Sequence, residues 1–240
     1  MVYLMVEQQF AKYPWCQRTI RGIFEEVRKR RIHVQEVSEL PGGAEERSCV
    51  LLVGASEEWI NQTARGAGSL GLHPIVLSNR ETNSSGLSVS SVKMDIHSSM
   101  ELAVDYLRTL DRERLALFGV NPSASSDLWR ARRFGELTGR EGDVFFLGSS
   151  VNEIFDQFYE KIHRYDGVIC ASDYAAVSLV GRLREKNYAI PEKLYVVGYG
   201  DMFLSRLFRP SITSISDDYE SFGKAALAIC AMMEKNDAFS

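Results

Sequence analysis

Short apolar runs alternate with amphipathic segments along the whole chain, and this alternation limits the fold more than any other feature of the sequence. Apolar runs at 3–6, 33–37, 49–53, 74–77, 115–119, 144–147, 167–170, 194–197 and 212–215 predict strands, with a further edge-like strand at 90–94. The segments 17–31, 58–70, 99–110, 128–137, 152–164, 174–186 and 221–234 predict helices. In the first of these, Ile20, Ile23, Phe24 and Val27 fall on one side at helical spacing. Strands that alternate with helices imply right-handed βαβ units and parallel sheets, an α/β architecture. Ten strands are more than one compact sheet usually holds, so two sheets in two lobes are expected. The 240 residues allow lobes of roughly 110 to 120 residues each. Residues 38–48 are polar, contain Pro41-Gly42-Gly43, and predict a loop.

The bulk properties exclude several functions. Twenty-eight Lys and Arg against 32 Asp and Glu give a net charge of −4, without the electrostatic footprint of a free-standing nucleic-acid binder. The Arg-rich stretches 28–31 and 130–133 lie in helical contexts and read as solvated faces, although Arg130 can point inward. The four cysteines, Cys16, Cys49, Cys170 and Cys230, are dispersed and form no CxxC pair, so neither a metal site nor a redox motif is expected. That usage fits a reducing cytoplasm. No early apolar stretch reads as an export signal, and no run is long enough to span a membrane. The loop after the first strand lacks the glycines of a phosphate cradle. A Gly-x-Ser-x-Gly elbow and an HExxH pair are absent, and His33, His73, His97 and His163 are scattered. No enzyme is expected, and no cofactor.

Four stretches, in this order, resemble the effector-binding core of the lactose/galactose-repressor (LacI/GalR) family of transcriptional regulators. They are Tyr13-Pro14-Trp15-Cys16 ahead of Arg21-Gly22-Ile23, and Val92-Lys93-Met94-Asp95 before a helix ending Tyr106-Leu107. The third is Arg130-Ala131-Arg132-Arg133-Phe134. The fourth combines Ala171-Ser172-Asp173, Ile190-Pro191-Glu192-Lys193-Leu194, Val197-Gly198-Tyr199-Gly200-Asp201 and Arg209-Pro210-Ser211-Ile212-Thr213-Ser214-Ile215. The resemblance implies two flavodoxin-like lobes of the periplasmic-binding-protein type I class with a ligand cleft between them. Carried over, the lobes are 1–118 plus 217–240, and 119–216. It also implies a small-molecule effector such as a sugar, a homodimer, and operator contact only through a helix-turn-helix domain that this stretch of sequence does not contain. Alternative readings are the sugar-binding protein of an ABC transport system and a degenerate module that only dimerises. Apolar stretches at Trp59-Ile60 and Ile229-Met232-Met233 are candidate dimer faces.

The candidate ligand-binding residues are Tyr13, Trp15, Arg130, Ser172, Asp173, Tyr199 and Asp201. Trp15, and Tyr13 beside it, offer rings that can stack on a sugar or purine face, or pack a lobe interface. Arg130 offers a fixed fork of donors for hydroxyls or a carboxylate. Asp173 stands where a strand gives way to a helix, so its first structural duty is expected to be capping that helix. Asp95 reads as a turn former or lobe-interface residue. Where the family often carries two adjacent acids, this sequence has Gly200-Asp201, so one hydroxyl acceptor is missing. The expectation that follows is a ligand whose negative or amphipathic group is neutralised by Arg130.

Overall fold

A computed structural model describes residues 1–45, 48–78, 89–148 and 151–237; two residues of the predicted 38–48 loop lie outside them. In chain order the elements begin β1 (Val2–Val6), α1 (Pro14–Arg30), β2 (Val34–Glu36), β3 (Cys49–Val53), α2 (Glu57–Ser69), β4 (His73–Leu77) and β5 (Ser90–Val92). Then come α3 (Ile96–Thr109), β6 (Leu115–Val120), α4 (Ser125–Thr138), β7 (Val144–Phe146), α5 (Val151–Lys161), β8 (Gly167–Cys170) and α6 (Asp173–Glu185). The chain finishes with β9 (Tyr195–Tyr199), α7 (Phe203–Leu207), β10 (Thr213–Ile215) and α8 (Tyr219–Asp237). Of these, α7 has no counterpart in the sequence reading, because five residues are too few to show a helical period.

The chain divides into a first unit, Met1–Met94 with Asp218–Ser240, and a second unit, Asp95–Asp217. This corrects the expected boundary at 118/119. The strand β6 pairs in parallel with β7 and β8, and Met100, Ala103, Val104 and Leu107 of α3 pack in one core with Leu115 and Leu117. Both elements therefore belong to the second unit.

The first sheet has the order β2-β1-β3-β4-β5 and the second β10-β9-β8-β6-β7, all pairs parallel. Renumbered within its own unit, each is a 2-1-3-4-5 sheet, the doubly wound order whose reversal of direction opens a crevice at the strand carboxyl ends. Strand alternation separates two cores in the first unit. Val2, Leu4, Leu51, Val53, Ile75 and Leu77 pack on α1 and α8, while Tyr3, Val50, Leu52 and Val76 pack on α2. In the second unit Phe118, Phe145, Val168 and Cys170 face α5 and α6, whereas Leu117, Ile169 and Val197 face α3 and α4.

Local chemistry sets the helix ends. Pro14 opens α1, Arg28, Lys29 and Arg30 complement the dipole in its last turn, and all three are exposed as expected of a solvated face. Close approach of α1 and α8 requires glycine on both helices. A Cβ at Gly22 would lie 2.0 Å from the Glu220 carbonyl oxygen, and one at Gly223 would lie 2.2 Å from that of Thr19. All four cysteines are free and buried, and burial followed by the charge of Glu7 pushes the Cys16 thiol up to about 11.

Candidate functional site

The carboxyl edge of the second sheet gathers most of the candidate residues. Arg130 lies in the first half of α4, and Tyr199 ends β9. The Arg130 side chain is only 9% exposed; its Nη1 donates to Asp127 Oδ1 at 2.8 Å and its Nη2 to Asp217 Oδ2 at 3.3 Å. Its guanidinium carbon stands 4.0 Å from the centre of the Tyr199 ring, a cation–π contact in a dry setting. Arg130 Nε is buried with no hydrogen-bond partner among the described residues. Burial alone would disfavour the charge, but Tyr199, Asp217 and Asp127 outweigh it and hold Arg130 above the ordinary arginine range. Tyr199 is itself buried, its phenol raised by that burial against the opposing pull of Arg130, and its hydroxyl donates to Ser99 Oγ.

Asp127 also accepts from the amide of Asn121, just past β6, at 3.0 Å. It lies three residues before Arg130 on one helix, a spacing that sequence alone can flag. Asp217 is 87 residues from Arg130, and no sequence pattern announces that pair. The expected partner of Arg130 is the negative or amphipathic group of a ligand; in the folded chain two acids of the protein itself stand against the guanidinium. Both terminal nitrogens already hold carboxylates, so the guanidinium is neutralised from within.

A second group lies along the same edge. The cap of α6 is Ser172, whose Oγ accepts from the Ala175 amide at 3.2 Å. The capping role expected of Asp173 therefore falls to its neighbour. Asp173 is fully buried and ties the loop after β9 to β10: Ser214 Oγ donates to its Oδ1 and the Met202 amide to its Oδ2, both at 2.6 Å. Ser214 Oγ in turn accepts from the Asp201 amide at 2.9 Å. The Asp201 carboxylate is held by Arg206, whose Nε donates at 2.9 Å and whose Nη2 donates to the second oxygen. Gly200 has φ +108 and Asp201 φ +45, so the chain turns through left-handed backbone just where the family often carries its first acid. The missing acid is thus matched by a backbone that a side chain at 200 would strain.

The remaining two candidates, Tyr13 and Trp15, belong to the first unit. Past the carboxyl end of β1, Trp15 packs 6.0 Å from Phe10 and 6.4 Å from Tyr219, and Phe10 meets Tyr13 edge-on at 5.5 Å. Tyr13 is 52% exposed, and Trp15 is half-buried in the α1–α8 core. Beneath them Glu7, a residue the sequence reading passed over, fills the amino terminus of α2. It accepts from the amides of Ala55 at 2.9 Å and Ser56 at 3.0 Å, and from the Ser56 hydroxyl. Burial works against its charge, yet bonds from Ser56, Gln9 and Ala55 together bring its carboxyl below the ordinary range. Asp95, expected as a turn former, caps α3 by accepting from the Ser98 amide at 3.0 Å.

Residues 104–239 match the family model of the periplasmic binding protein-like domain. The chain belongs to that family. The resemblance to LacI-type regulators also holds. Over 90 residues the chain is 32% identical to the HTH-type transcriptional regulator RegA of Clostridium saccharobutylicum, a match spanning 38% of this chain and 24% of that protein. The chain thus aligns with only about a quarter of that relative's length. The fold is shared with a transcription regulator from Lactobacillus plantarum, at TM-score 0.74 and 16% identity over 99% of this chain and 92% of that one. It is shared too with the LacI family regulator CCPA of Weissella paramesenteroides with bound glucose, at TM-score 0.69 and 16% identity, covering 96% and 91%. These relatives are regulators rather than enzymes. No helix among the described residues is long and apolar enough to cross a membrane.

Proposed function

We propose that this chain is the effector-sensing part of a LacI-type transcriptional regulator, and that its effector is a neutral, hydroxyl-bearing small molecule such as a sugar. The observation that carries this reading is Arg130 Nε: a buried donor without an acceptor, at the strand edge where doubly wound sheets take ligands. A ligand hydroxyl or carbonyl oxygen supplies the acceptor. A third negative charge is unsuited, because Asp127 and Asp217 already compensate the guanidinium. In the first unit Glu7 likewise occupies the helix terminus that an anion would seek, and the reading takes the Trp15 and Tyr13 rings as further ligand contacts. Bound glucose in the Weissella regulator of the same fold supports the ligand class. Binding acts by population shift, favouring one arrangement of the chain over another, with a coupling of about 1–3 kcal/mol.

The test is a thermal-shift screen that sets neutral sugars and nucleobases against sugar phosphates and small carboxylates, each repeated with Arg130→Met and Trp15→Ala. A neutral ligand raises Tm by mass action, and both substitutions remove the shift. A preference for anions would sink the ligand class. A flat screen would favour a module that only dimerises.

The proposal includes a homodimer. Phe203 is 74% exposed, Tyr174 60% and Leu207 54%, and α6, which carries Tyr174, packs against α7, which carries the other two. Exposed aromatic and aliphatic side chains grouped in this way mark an association surface. Of the faces expected from sequence, Ile60 is fully buried in its own unit and unavailable, whereas Met232 is 63% exposed. Sedimentation of Phe203→Glu decides the matter: a monomer where the parent chain is dimeric supports this face, and an unchanged dimer excludes it.

A further inference from the structure

Asp217 is the last residue of the second unit, and the chain passes to the first unit at the next peptide bond. On either side of that bond two acids are anchored differently. Asp217 is held by Arg130, deep in the second unit, whereas Asp218 accepts from the Ser221 amide at 3.0 Å and so fixes the start of α8 in the first. The bond from Arg130 to Asp217, at 3.3 Å, is longer than the one to Asp127, at 2.8 Å. Asp127 sits on the helix that carries Arg130 and moves with it. Asp217 lies off that helix, at the end of the second unit and one peptide bond from the crossing.

From this asymmetry we infer that the Arg130–Asp217 pair is a latch, with Asp217 the positioning residue through which occupancy at Arg130 reaches the segment joining the two units. The inference rests on Arg130 being the ligand-contacting group proposed above. A ligand oxygen on Nε re-aims the guanidinium; Asp127 follows on its own helix, and the bond to Asp217 tightens or breaks. Motion about a crossing segment needs a few residues able to take up the change, and a side-chain tether on one of them sets how freely it moves. Among the described residues nothing else at this edge combines a buried charge pair with a place next to the crossing: Asp173 and Asp201 are fixed to partners farther inside the second unit.

The experiment needs no ligand, so its failure is distinguishable from failure of the binding reading. Spin labels on Lys29→Cys and Glu185→Cys, both exposed positions of the full chain, report the distribution of distances between the units. The four native thiols are buried and do not compete. Asp217→Asn is expected to broaden or shift that distribution, while Asp127→Asn, which removes the other acid from the same guanidinium, leaves it as in the parent. Asp217→Glu, keeping the charge, should restore the parent distribution, and urea midpoints verify that each variant is folded. An unchanged distribution in Asp217→Asn, or the same change in both asparagine variants, overturns the latch.

Discussion

Gly198 lies directly against the Asp173 carboxylate: a Cβ added at Gly198 would fall 2.2 Å from Asp173 Oδ1. The glycine of the Val197-Gly198-Tyr199 run therefore makes room for a buried acid that secures the loop after β9 to the strand β10. Gly198→Ala should cost about 3 kcal/mol, combining overpacking with loss of bonds from Ser214 and Met202. Gly181→Ala, mid-helix with nothing within 4 Å of the new carbon, should instead stabilise by about 0.5–1 kcal/mol. Urea midpoints at unchanged slope measure both, and similar effects of the two would refute the packing argument.

The contact between α1 and α8 gives a second stability prediction. Gly22→Ala and Gly223→Ala each drive a methyl group into backbone of the opposite helix, and each should cost about 2–3 kcal/mol. Hydrogen exchange should show the loss first in α8, which joins the first unit from the far end of the sequence. Protection of α8 equal to the parent chain would count against the close approach.

Tyr165 predicts an alkaline transition. Burial first, then a 2.8 Å bond from its hydroxyl to Asp143, pushes its phenol from 10.0 up to about 12. A folded-state pKa above the unfolded one gives stability that is complete below the unfolded value and lost as pH rises from 10.0 to about 12. Ultraviolet titration should reveal late-titrating phenols, one fewer in Tyr165→Phe, and stability of that variant should fall less over the same window.

Glu7 predicts the opposite limb. Its folded-state pKa is depressed, so its contribution is present above the unfolded value of 4.5 and lost as pH falls through the lower folded value. The stability gap between the parent chain and Glu7→Gln should be widest near neutrality and should close in acid. A gap that persists at low pH would mean that the carboxylate charge is not what holds the start of α2.

Much of this molecule follows from local pattern. Apolar runs and helical periods lie within a few residues of one another, so the sequence alone determined the βα alternation, the parallel sheets and the family resemblance. It also marked Arg130 as the arginine able to turn inward, without its partner Asp127. It placed β6 and α3 wrongly, because a strand's allegiance depends on which distant strands it pairs with. Tertiary structure alone decided the rest. Asp217 reaches Arg130 across 87 residues, and Ser214 reaches Asp173 across 41, because chain crossings bring strand ends to one edge. The capping of α6 passed to Ser172 because Asp173 had buried partners to satisfy. Gly200, which reads in the sequence as a missing acid, proved to be a left-handed turn, a backbone property that residue identity does not reveal until the chain around it is folded.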